Sequence, residues 1–178
     1  MQIAIFGGSF DPIHIAHETI VNEALKTLDL DLIILVPTFL NPQKIKSHLT
    51  PNERLFLLSE NFQDDEKILI SDYEIKQNRP VYSIETINYL KEYYRPEKIY
   101  FIIGADNYEK LDTWYHVEDI LKEVELVVVT RNGFCNDIYD NIQTLNVDIN
   151  ISSTQLRDNL DLNFVPDKIK DDVKKFWH

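Results

Sequence analysis

Short apolar runs recur along the chain, each bounded by charge, proline or glycine. Gln2–Phe6, Asp31–Pro37, Lys98–Gly104 and Glu125–Thr130 are continuous enough to predict strands buried on both faces. Asn146–Ile151 alternates, which predicts an edge or half-covered strand, and Lys67–Asp72 predicts a weaker one, again at an edge. Between these runs the apolar spacing changes to three and four. From His14 onward Ile20, Val21, Ala24, Leu25 and Leu28 form a helical stripe. Thr50-Pro51-Asn52-Glu53 is a capping box with proline at the first helical position, opening a helix to about Phe62. Ser83 is placed to cap Ile84–Tyr94, which Arg95-Pro96 stops. His116–Lys122 predicts a short helix, Ser153 a cap for Gln155–Asn159, and Pro166 the start of a last helix ending near Phe176. Strands alternating with helices predict an α/β fold, a doubly wound parallel sheet of Rossmann-like type. Its ligand crevice is expected beyond the strand C-termini, at the topological switch point.

A chain of 178 residues with no composition break predicts one domain spanning 1–178. The one long loop, Pro37–Thr50, is polar, carries lysines and leaves the C-terminal end of the second strand. A formal net charge of −12 argues against a broad nucleic-acid or anionic-membrane surface. Any polyanion must therefore be met by locally concentrated cations or by a metal. The single cysteine, Cys135, excludes an internal disulfide, and no apolar run approaches the ~20 residues that span a bilayer. A soluble, cytoplasmic protein is the expectation; the oligomeric state is left open.

The first strand runs into Gly7-Gly8-Ser9-Phe10-Asp11-Pro12-Ile13-His14-Ile15-Ala16-His17. Strand, glycine turn and helix start together present backbone N–H groups to a phosphate. His14 and His17, three apart, stack on one helical face. The segment is neither a P-loop nor a dinucleotide fingerprint, since G-x-x-x-x-G-K-[ST] and G-x-G-x-x-G are both missing. It resembles the nucleotidylyltransferase superfamily, whose hallmark is H-x-G-H after the first strand; here Ala16 stands in place of the glycine. Ile151-Ser152-Ser153-Thr154-Gln155-Leu156-Arg157 resembles the second hallmark, I-S-S-T-x-[IL]-R. Phe101–Asp106 followed by Thr113-Trp114-Tyr115, and Pro80-Val81-Tyr82-Ser83, resemble the bacterial nicotinate-mononucleotide adenylyltransferases. So does Pro37–Lys44, although Asn41 and Gln43 depart from that family's P-x-x-x-P-P-H-K loop. The resemblance covers essentially the whole chain.

The resemblance implies adenylyl transfer from ATP to nicotinate mononucleotide, giving deamido-NAD and pyrophosphate. ATP would be bound by the Gly7-Gly8-Ser9-Phe10 backbone, His14, His17, Gly104, Ser153 and Arg157; His14, His17, Arg157 and Lys44 would be catalytic. Nicotinate mononucleotide would be bound by Tyr82, Ser83, Asp106, Trp114 and Tyr115, with backbone N–H groups near Ser83 and Tyr115 facing its carboxylate. Magnesium would accompany ATP, without an all-protein metal site.

Each residue also has a plainer reading. Asp106 could cap the next helix, Trp114-Tyr115 could plug an edge, Tyr82 could pack beneath its helix, and Arg157 could pair with Asp158 or Asp161. Two other functions share parts of the pattern. Another adenylyl- or cytidylyltransferase, such as the phosphopantetheine enzyme, has both hallmarks but not the Trp114-Tyr115 context. A nucleotide-sensing protein would keep the pocket without turnover, against which His14, His17 and Arg157 weigh.

Overall fold

The first apolar run becomes the central strand. The computed structural model describes residues 1–40, 46–130 and 142–177. It places β1 (Gln2–Gly8) between β2 (Leu32–Pro37) and β4 (Lys98–Gly104). β3 (Ile68–Ile70) flanks β2, while β5 (Glu125–Thr130) and β6 (Gln143–Asn146) follow β4, so the order is β3-β2-β1-β4-β5-β6. Every pairing is parallel. The helices are α1 (Ile15–Thr27), α2 (Pro51–Phe62), α3 (Tyr73–Lys76), α4 (Ser83–Tyr94), α5 (Ala105–Tyr108), α6 (Val117–Glu123), α7 (Ser153–Asp158) and α8 (Lys170–Phe176).

Because strand side chains alternate, the continuous apolar runs feed two cores. Ala4, Phe6, Ile33, Leu35 and Ile102 face α1, α2, α7 and α8, where Val21, Leu57, Leu58, Leu156 and Val173 meet them. Ile3, Ile5, Ile34, Val36 and Phe101 face the other way, onto Ile84, Ile87 and Leu90 of α4 and Ile120 of α6. The chain winds outward from β1 to β3, then returns across the sheet to β4. That reversal makes the C-terminal ends of β1 and β4 the switch point, where loops diverge and leave a crevice.

Local differences from the sequence reading have physical causes. The sixth strand is Gln143–Asn146, not Asn146–Ile151. Val147, whose N–H still donates to the Thr130 carbonyl at the end of β5 at 2.9 Å, and Ile151 are indeed buried, but on chain that runs past the strand toward α7. Alternation reports an extended segment with one buried side and does not require a hydrogen-bonded partner. The cap of α7 is Ser152, not Ser153, because the reciprocal partner Gln155 lies three residues on. Likewise α4 is capped at Tyr82, whose N–H donates to Glu85 Oε1 at 3.0 Å, so Ser83 is its first residue. Pro166 leads into a 3-10 turn, Asp167–Ile169, before α8 begins. The four-residue helices α3 and α5 carry too few turns for any periodicity to show. Among the described residues no helix is long and apolar enough to cross a membrane.

The Thr50–Glu53 box forms as its spacing predicts. Thr50 Oγ1 accepts the Glu53 N–H at 3.2 Å, and Glu53 Oε2 accepts the Thr50 N–H at 2.7 Å. Replacing Thr50 with alanine removes one acceptor and should cost about 1 kcal/mol of stability. The check is a lowered urea midpoint at constant slope.

Candidate active site

At the end of β1 the chain needs a residue without a side chain. A Cβ on Gly8 would lie 3.1 Å from the Phe10 ring, which is buried and meets Phe6 edge-on at 5.6 Å. Phe10 itself has φ 46°, a left-handed conformation that costs an L-residue roughly 1–2 kcal/mol. Burial of its ring holds it there. The loop from Ser9 to Ile13 is thus bent tightly over the sheet edge and delivers His14 to the cap of α1.

His14 and His17 stack, with ring centroids 3.7 Å apart and planes 19° from parallel. The His14 backbone N–H donates to His17 Nδ1 at 3.2 Å. With Nδ1 accepting, a neutral His17 carries its proton on Nε2, which makes that nitrogen a donor. Phe10 meets the same ring edge-on at 5.0 Å, fixing its plane.

Beneath the loop lies a buried ionic centre. Asp11 is 1% exposed, and its two carboxylate oxygens accept the N–H groups of Leu49 at 2.8 Å and His48 at 2.9 Å. Arg54, equally buried, donates to the carbonyls of Ser9 at 2.7 Å and Phe39 at 2.9 Å. Burial pulls its guanidinium below the usual arginine range, and the nearby Asp11 charge opposes that fall. Arg157 donates to the Asp11 carbonyl at 2.9 Å and to Thr154 Oγ1 at 2.8 Å; its Nη1 lies 3.8 Å from Asp11 Oδ2. Ser153 Oγ donates to the Pro12 carbonyl at 3.2 Å. The start of α7 is therefore docked on the loop that follows β1, and Arg157 pairs with Asp11, not with Asp158 or Asp161.

Across the crevice is a cavity. Gly7, Gly8 and Ser9 line one side, Tyr82, Ser83 and Thr86 another, and Thr113, Trp114 and Tyr115 a third. Tyr82 and Tyr115 are about half exposed, with centroids 4.6 Å apart, while Trp114 meets Phe101 edge-on at 6.2 Å. His116, at φ 55°, turns the chain sharply after Tyr115 into α6. Tyr82 and Tyr115 thus stand at the cavity mouth as a paired aromatic rim, and Trp114 reaches in beneath them.

The structure brings Gly7, Gly8, Ser9, Tyr82, Ser83, Trp114 and Tyr115 onto one cavity. It gathers His14, His17, Ser153 and Arg157 around the adjoining loop. Phe10 offers that loop its backbone only, its ring being core. Gly104 is the cap of α5, so Asp106 does not cap that helix; Asp106 is exposed in its first turn, outside the cavity lining. Lys44 and Cys135 lie outside the described residues. Sequence reasoning missed Asp11, Arg54 and Glu74. Arg54 had a signal: with Leu57, Leu58, Asn61 and Phe62 it occupies the buried stripe of α2, where a charge demands a partner.

A family model described as Cytidylyltransferase-like matches residues 5–159. A protein of Aliarcobacter butzleri (strain RM4018) named "Probable nicotinate-nucleotide adenylyltransferase" is 52% identical over 97% of this chain and 95% of its own length. A Campylobacter fetus protein of the same name is 44% identical over 99% and 97%. Among solved structures, the Plasmodium falciparum nicotinic acid mononucleotide adenylyltransferase complexed with NaAD superposes with a TM-score of 0.79 at 22% identity. That match covers 98% of this chain and 95% of the other, and it supports the fold.

Removing the Asp11 charge should loosen the whole site. Asp11→Asn leaves Arg54 buried without its counter-charge and turns an NH₂ toward a backbone N–H. We expect a loss of about 3–5 kcal/mol in urea unfolding. A loss below ~1 kcal/mol would remove Asp11 from this central role.

Proposed function

The chain belongs to the nicotinate-nucleotide adenylyltransferase family, and from that premise we propose that it transfers the adenylyl group of ATP to nicotinate mononucleotide. The products are deamido-NAD and pyrophosphate, a step of NAD biosynthesis. One observation carries the reading at residue level: the stacked His14–His17 pair stands beside the Gly7-Gly8 turn, and the aromatic cavity opens from that same turn.

A phosphate monoester, with a second pKa near ~6, is already largely a dianion at neutral pH. The acceptor therefore needs no general base. Its oxygen attacks the α-phosphorus of ATP, the bond from that phosphorus to the bridging oxygen breaks, and pyrophosphate leaves with the electron pair. What the protein supplies is in-line alignment and neutralisation of charge around the phosphates.

His17 donates from Nε2 to a phosphate oxygen, and His14 lies against it as the second imidazole. The Gly7–Phe10 backbone cradles the phosphates. Arg157, which keeps about a fifth of its side chain exposed, serves the β–γ end with Ser153. Lys44 would approach the triphosphate from the long loop. Trp114 and Tyr82 flank the pyridine ring, and the N–H of Ser83, first residue of α4, is one of those a helix start leaves for a ligand. Asp106 accepts from ribose hydroxyls. Magnesium would accompany ATP in this reading and carry the remaining charge on its phosphates. A cytoplasmic location is part of the same reading, since both charged substrates are retained inside the cell.

The test is steady-state pyrophosphate release at pH 7 with nicotinate mononucleotide, its amide counterpart and phosphopantetheine as acceptors. We expect kcat/KM for the acid at least ~100-fold above that for the amide, about 2.7 kcal/mol. Activity with phosphopantetheine alone would move the chain to that branch, and no turnover with any acceptor would favour a sensing protein. His17→Ala should slow turnover ~100- to 1,000-fold while circular dichroism reports an intact fold. Near-normal turnover in that variant would end the assignment.

A further inference from the structure

Glu74 has no part in the mechanism above, yet among the described residues it is the one charged residue lining the cavity. The residue is 6% exposed, and its Oε1 accepts the hydroxyl of the buried Thr86 at 2.6 Å. Thr86 belongs to the wall that also carries Tyr82 and Ser83. Among the described residues, no lysine, arginine or histidine lines this cavity. An acidic pyridine entering it would bring a second carboxylate close to the first, with no side-chain cation between them.

We propose that Glu74 is a specificity-determining residue of the acceptor pocket: the acidic mononucleotide binds with uptake of one proton on Glu74, whereas the amide binds without it. The proposal rests on the adenylyl-transfer reading above and adds a charge condition to its acceptor site.

The surroundings favour a carboxyl that titrates in the working range. Burial pushes Glu74 up to about 7; the Thr86 hydroxyl opposes the rise and the charge of Glu85 adds to it. Glu85 is itself held by Arg79 at 2.7 Å, on the solvent side of α4. On α3 the neighbours are Tyr73, stacked on Tyr89, and the exposed Asp72–Lys76 pair. Tyr82 and Tyr115 bring phenols to the rim. From β1, β2 and β4 come Ile5, Val36, Phe101 and Ile103, none of them ionisable. Below pH 7 Glu74 is neutral and the pocket accepts a carboxylate. Above it Glu74 is ionised in the free protein and must be reprotonated for the acid to enter. A ligand that requires the protonated form loses affinity by up to a factor of ten per pH unit.

The measurement is KM for each substrate between pH 7 and 8.5, a window in which the substrate phosphate is already a dianion. For the wild-type protein, KM for the acid should rise roughly tenfold across it, while KM for the amide and for ATP stays level. Glu74→Gln keeps the size and an acceptor oxygen for Thr86, and should flatten the acid profile. Thr86→Val removes the hydrogen bond that favours the ionised form, and should move the rise to higher pH. A rise that survives in Glu74→Gln, or one of equal size with the amide, overturns the proposal. Calorimetry of nicotinate mononucleotide binding at pH 7.5, in two buffers of different ionisation heat, counts the proton without turnover. Uptake that vanishes in Glu74→Gln supports the role, and zero uptake in the wild type overturns it. A wild-type protein that binds the acid with uptake but releases no pyrophosphate would sink only the adenylyl-transfer reading; absence of binding would sink both.

Discussion

Asp11 carries a negative charge into a place almost closed to water, and the arrangement of the site follows from how that charge is satisfied. An isolated buried carboxylate is costly enough to unfold its surroundings. Here two backbone N–H groups, at His48 and Leu49, meet its oxygens, and Arg54 and Arg157 bring positive charge close by. These partners come from separate stretches of chain. The loop after β1, the far end of the long loop, the first turn of α2 and the last turn of α7 are therefore fixed to one another. His14 and Arg157 inherit their relative positions from that joint.

The net charge of −12 sets a different constraint. Long-range attraction cannot deliver two phosphorylated substrates to this protein, and at physiological ionic strength such fields decay over about 8 Å. Binding has to be local, through imidazoles, N–H groups and single guanidinium groups. Desolvation in the crevice makes each of these count for more than it would in water. The same low dielectric makes the charge on Glu74 matter to anything that enters the neighbouring cavity.

The sheet was legible because strands buried on both faces leave continuous apolar runs, and the four central strands are of this kind. Helix ends were legible where a reciprocal cap has fixed spacing, as at Thr50–Glu53, and were misread by one residue where two candidate caps adjoin, as at Ser152-Ser153. The candidate site showed in the sequence through its motif residues, which sit together as local sequence. Asp11, Arg54 and Glu74 did not show, because what distinguishes them is burial beside partners distant in the chain, a tertiary fact. Only Arg54 left a trace, as a charge inside an apolar stripe.

The order of the strands also has a consequence for how the protein is made. β1 is synthesised well before its partner on one side, β4, which begins at Lys98, and Gln2 pairs with Lys98 itself. The Asp11 centre waits longer, for Arg157, and His48 longer still for Trp177, whose ring lies tilted against it at 4.1 Å. Parallel sheets with such distant pairings fold slowly, and synthesis proceeds at about 5–20 residues per second. For several seconds the central strand of the nascent chain has an open edge. The Asp11 joint, and with it the relative placing of His14 and Arg157, is then a late product of biosynthesis.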